Sequence, residues 1–194
     1  MKIMNNVRKT ILAMTAISVL AYSCTEDDVT KPLDPNPEEV ITTMKLQFTE
    51  EGTSNKFEAV FRDLDGDGGN APSRFDSISL EAGKSYLVNV LLLNESNLLD
   101  VDTVSNEIKT EKEAKEHLFI YKADNVNVNF TILDRDTNNP PLPVGLETRW
   151  VAGAKSGTAT SHVHITLKHQ PGVKNGSEAP GSVDIDLEFL TKVK

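Results

Sequence analysis

The chain predicts an all-β fold, a Greek-key immunoglobulin-like β-sandwich of about 7–9 strands with one short cross-connecting helix. Three observations predict it. Apolar side chains recur at every second position in one segment after another, the signature of strands with one buried and one wet face. Turn-forming residues separate these segments at intervals of roughly 8–12 residues. Only one stretch carries a helix start signal.

The alternating segments follow in chain order. Met44, Leu46 and Phe48 alternate with Lys45 and Gln47; Phe57, Ala59 and Phe61 alternate with Glu58 and Arg62. Tyr86 to Leu93 is apolar at nearly every position and reads as a central strand. Thr110 followed by Glu113 forms a capping box, so a helix is expected over Glu111 to His117. Val126, Val128, Phe130 and Ile132 resume the period of two, as do Val163, Ile165 and Leu167, and then Val183, Ile185, Leu187 and Phe189. Asp65-Gly66, Ala82-Gly83-Lys84, Asn138-Asn139-Pro140-Pro141, Gly172 and Asn175-Gly176 mark the turns between them. Trp150 is expected in the core.

The sandwich is assigned to residues 40–194, and what precedes it reads differently. Lys2, Arg8 and Lys9 stand before an apolar run from Ile11 to Tyr22, which ends in Ser23 ahead of Cys24. A basic start, a short apolar run and a small residue at the cut describe an export signal over residues 1–23. The run is shorter than the about 20 apolar residues needed to span a bilayer. With the chain's single cysteine directly after the cut, the pattern is similar to a bacterial lipoprotein signal, which implies acylation of Cys24 and a membrane partner held through that lipid. An ordinary cleaved signal with an incidental Cys is the competing reading. Residues 24–39 hold three prolines and an excess of acid, and read as an extended tether.

Composition narrows the functional classes. The chain carries 20 basic against 29 acidic residues, and no basic stripe, so nucleic acid is not an expected partner. Without a thiol beyond Cys24, neither disulfides nor cysteine chemistry is available to the sandwich. No nucleophile elbow, zinc-protease helix or phosphate loop occurs. A non-enzymatic protein is therefore expected.

Taken together, the signal, the Pro-rich tether, Phe61 to Pro72 (FRDLDGDGGNAP), Leu93 to Ser96 (LNES), Glu116-His117 and Lys168 to Pro171 (KHQP) resemble a group of small bacterial outer-surface lipoproteins. The resemblance covers most of the chain after Cys24. It implies a sandwich displayed on the outer membrane and supplies no catalytic residues.

Three groups of side chains are candidates for binding chemistry. Glu113, Glu116, His117 and His169 pair imidazole with carboxylate, which suits zinc or a similar divalent ion. Glu113 and His117 would share a helix face, and His169 would meet them at the sandwich rim. Alternatively, His117 only caps its helix and His169 faces solvent. His162 and His164 should point outward from one strand beside Asp184, Asp186 and Glu188 of the next, giving a second candidate in His162, His164, Asp186 and Glu188, or else a ladder of favourable surface charges. Asp63, Asp65 and Asp67 with Gly68 match the front half of a calcium loop. Its twelfth position is Arg74, and the same residues equally suit an Asx-rich turn.

The expected function is a lipid-anchored outer-membrane or cell-surface protein that binds a divalent cation (zinc or calcium) or a small ligand. An outer-membrane transporter or another surface protein is the partner this implies. The alternative is a structural or adhesive module that holds protein or glycan through its sandwich-end loops.

Overall fold

The computed structural model describes residues 39–66 and 69–194. The export signal, Cys24, the tether up to Glu38, and Asp67 with Gly68 lie outside the described residues.

Among the described residues, ten strands and two short helices follow one another: β1 (Thr43–Glu50), β2 (Lys56–Arg62), β3 (Arg74–Phe75), β4 (Ile78–Leu80), β5 (Ser85–Leu93), α1 (Val104–Ile108), α2 (Glu111–Ala114), β6 (His117–Asp124), β7 (Val128–Ile132), β8 (Glu147–Ala152), β9 (His162–His169) and β10 (Ser182–Val193). They build two packed sheets, one ordered β3-β2-β1-β5-β8-β7 and the other β4-β10-β9-β6. The all-β sandwich read from the alternation is the fold. The count exceeds the expected seven to nine because β3 and β4 are edge pieces of two and three residues, too short to show a period.

Inward rows from the two sheets meet to form the core. Met44, Leu46, Phe48, Val88, Val90 and Trp150 face Phe119, Val163, Ile165, Leu167 and Phe189, all buried. Trp150 anchors this layer edge-on to Phe48, with centroids 5.2 Å apart, and to Phe130 at 4.8 Å. Its indole N–H donates to Thr148 Oγ1 at 2.9 Å, so the buried ring leaves no polar atom unmet. β5 is central, between β1 and β8, as expected. Its outer face, however, is only partly covered, and Leu87 is exposed.

Two local expectations are corrected. The helix over Glu111 to His117 stops at Ala114, and α1 precedes it. Thr110 does cap α2, accepting the Glu113 N–H at 3.4 Å. His117 instead opens β6, where it pairs with His169, and the Glu116 carbonyl accepts the Gln170 N–H at 2.6 Å. Sheet pairing overrides the helix preference there. The second correction is in β10. The register shifts between Val183 and Ile185, leaving Asp184 as an extra, bulged residue. Inversion of the local parity leaves Val183 exposed and turns the Asp184 side chain fully inward.

A buried ion pair braces the end of the sandwich where α2 lies. Lys174 Nζ meets Asp136 Oδ2 at 2.9 Å, both side chains almost inaccessible, and also donates to the Ala114 carbonyl at 2.7 Å. Asp136 further accepts the Asn138 and Leu142 N–H groups at 3.0 and 2.8 Å. One lysine thus ties two loops to the last residue of α2.

Candidate cation site

The inward rows of β6 and β9 both run on into histidine. On β9 the row Val163, Ile165, Leu167 continues to His169; on β6, Tyr121 and Phe119 lead back to His117. Because the two strands pair in that register, the imidazoles fall directly opposite each other. They stack with centroids 4.8 Å apart and planes within 9°. Both are buried, at 0% and 2% exposure. The rim location expected from sequence is right, but the rings point between the sheets rather than toward solvent. Gly181 makes the close approach of β10 possible: a Cβ there would stand 2.0 Å from the His169 carbonyl oxygen.

Carboxylates flank the stack on two sides. The Glu113 carbonyl can only accept, so His117 Nδ1, at 2.9 Å, carries the proton that it receives. The Glu113 carboxylate stands 3.8 Å from the same nitrogen and pairs with Lys112 Nζ at 2.6 Å. On the opposite edge of the ring, His117 Nε2 lies 3.3 Å from Asp184 Oδ2. That is close enough for a strong electrostatic pull but out of line for a hydrogen bond, and both atoms are buried without a hydrogen-bond partner. His169 Nδ1 is 4.0 Å from Asp184 Oδ1.

Neutral His117 would press an Nε2 lone pair against a carboxylate oxygen, two acceptors with nothing between them. A positive charge resolves this, either a proton on Nε2 or a metal ion. Two donors bonded to a tetrahedral ion at about 2.0–2.1 Å stand about 3.3–3.4 Å apart, which matches the Nε2 to Oδ2 separation. One donor atom each from Glu113, His117 and His169 also lies within 4.8 Å of the others. Glu113 sits at the protonated edge of His117, where it orients the ring and leaves Nε2 toward Asp184.

The surrounding charges match this arrangement. Burial pushes the His117 imidazole down, but the Asp184 carboxylate, the Glu113 carbonyl and the Glu39 charge outweigh it and hold the ring above its ordinary value of 6.5. Partial burial raises the Glu39 carboxyl; Glu107, Asp184 and Glu113 push it further up, while His117 pulls it down. Burial and the neighbouring Asp102 likewise raise Glu107.

Glu116, the fourth member of the expected group, holds β9's continuation through its carbonyl rather than joining the three mutually close donors. Asp184 was missed as part of this site. Strand parity alone assigns it outward, and nothing local in the sequence marks the bulge.

The other two candidates are placed differently. His164 Nε2 meets Glu188 Oε1 at 3.0 Å and Asp186 Oδ1 at 3.8 Å, on open surface with side chains 38–59% exposed. His162 pairs in register with Leu190 and Asp124, so it stands off from those carboxylates. Lys122 occupies the other flank of His164. In the acidic loop, Asp65 Oδ2 accepts both the Asn70 N–H and its side-chain amide at 2.8 Å, which holds the Asp65 carboxyl below the usual range. Arg74 pairs with Asp76 at 2.6 Å, and Asp76 also accepts the Val60 N–H. Asp65 is therefore committed to Asn70, and Asp76 is committed elsewhere. Asp63 is buried, with Oδ1 lacking a hydrogen-bond partner.

Comparison of the chain with protein-family profiles, with curated proteins and with solved structures finds no match.

Proposed function

We propose that this chain is a non-enzymatic, lipid-anchored surface protein, with a sandwich of the immunoglobulin-like kind, that binds a divalent transition-metal ion between its sheets. Cys24 is the acylated residue and fastens the chain to the outer membrane, where cation capture serves an adjacent uptake protein. The single observation that carries the binding reading is the pair of stacked, buried imidazoles beside Asp184, with His117 Nε2 and Asp184 Oδ2 facing each other at 3.3 Å and neither hydrogen-bonded. His117, His169 and Asp184 are the proposed ligands, and Glu113 is the residue that positions His117.

Two imidazoles favour zinc over calcium, which takes 6–8 oxygen ligands. Titration calorimetry of the full-length chain in detergent is expected to show 1:1 uptake of Zn²⁺, none of Ca²⁺, and loss of uptake in His117→Ala and His169→Ala. At a free Zn²⁺ concentration about a hundredfold above Kd, the fold should gain about 2.7 kcal/mol, a rise of roughly 5–10 °C in midpoint that EDTA reverses. Absence of heat up to millimolar Zn²⁺ would overturn the cation reading.

The anchoring reading is tested separately. Labelled palmitate should enter the native chain in bacterial cells and fail to enter Cys24→Ala. Equal labelling of both, or of neither, removes it.

A further inference from the structure

The centre lies where the chain enters the sandwich. Glu39, the last residue of the acidic, proline-rich segment, donates its N–H to Asp184 Oδ1 at 3.3 Å. Val40 is exposed, Ile41 packs on the core, and Thr42 makes a sheet-like bond to the Leu93 carbonyl at 3.0 Å. The first contact of the described chain with β10 is therefore made at the candidate ligand itself. Glu39 itself is partly buried, with its backbone already on the Asp184 carboxylate.

Charge balance shows what that carboxylate can do. A divalent ion held by two neutral imidazoles and Asp184 keeps one net positive charge in a largely desolvated place, which is costly. A second carboxylate removes it. Glu113 is a poor source, since it already pairs with Lys112 at 2.6 Å and faces the protonated edge of His117. Glu39 comes from outside the two sheets, on the Asp184 side.

Resting on the cation reading above, we infer that Glu39 supplies a further carboxylate donor to the same ion, so that ion binding clamps the end of the N-terminal segment onto β10. Occupancy of the site then sets how firmly residues 39 to 42 are held to β10. The device needs no movement of the sheets. It requires only side-chain rotation: the stacked His117 and His169 rings turn so that their in-plane lone pairs converge on the ion beside Asp184, and the Glu39 side chain closes over it.

Amide hydrogen exchange and Zn²⁺ titration on the full-length chain test this together. Zn²⁺ should slow exchange of the amides from Glu39 to Thr42. Glu39→Gln should weaken Zn²⁺ binding about tenfold and abolish that added protection, while His117→Ala abolishes both. If the native chain binds Zn²⁺ but those amides are unchanged and Glu39→Gln binds as tightly, the clamp is wrong and the centre stands. If the native chain binds no Zn²⁺, the centre and the clamp fall together.

Discussion

Asp136→Ala is expected to cost about 3–5 kcal/mol of stability, because it leaves a buried lysine charge without its partner. The Lys174 side chain is 1% exposed and that of Asp136 is fully buried. Burial pushes the Lys174 ammonium below its ordinary value, against the opposing pull of Asp136 and Asp134. With Asp136 gone, the ammonium keeps the Ala114 carbonyl but loses its counter-charge, and the Asn138 and Leu142 N–H groups lose their acceptor. The unfolding midpoint should drop by roughly 10 °C or more. Adding Lys174→Met should recover part of the loss, since the unpaired charge is the main penalty. Denaturant unfolding of the two variants checks the argument. A loss under about 1 kcal/mol in Asp136→Ala would show that the pair is not a buried brace.

The second large effect is the response of the metal-free fold to pH. His117 titrates above 6.5 in the folded chain, through Asp184, Glu113 and Glu39, despite its burial. The proton is therefore held more tightly folded than unfolded. The stability it contributes is fully present below about pH 6.5 and is lost as pH rises through the folded value. Glu39 and Glu107, also raised, act in the same sense from about pH 4.5 upward. Glu50, Asp76 and Glu95 are lowered by lysine or arginine partners. They act in the opposite sense, losing stability only as pH falls through their folded values. Between about pH 6 and pH 8 the metal-free protein should thus lose stability. The slope should flatten in His117→Gln, where no imidazolium forms beside Asp184. Zn²⁺ should also flatten it, because the ion needs the deprotonated ring and binds better as pH rises. Thermal unfolding across this range, with EDTA or with Zn²⁺, measures both slopes. Equal slopes in native and His117→Gln protein would sink the assignment of this dependence to His117.

Much of this was legible in the residues. Alternation in Met44 to Phe48, Val163 to Leu167 and Leu187 to Phe189 marks strands with one buried face, and Trp150 was correctly expected in the core. Thr110 was recognised as a helix cap because its bond to Glu113 spans three residues. The grouping of Glu113, Glu116, His117 and His169 also follows from chemistry alone, although through a helix that ends too soon, and Glu116 stays outside the three mutually close donors. Missed were α1, whose five residues carry no cap hydrogen bond from a side chain, and the inward turn of Asp184.

The sandwich, its turns and most inward rows follow from local pattern, because a period of two and a turn residue act within a few neighbours along the chain. Long-range strand pairing alone brings the rows of β6 and β9 to an end on two stacked histidines. It also delivers Asp184 to them through a bulge and sets Glu39 at the same corner. Those meetings depend on register between strands far apart in the chain. A shift of one residue there reverses which face a side chain occupies, and no local pattern records the shift.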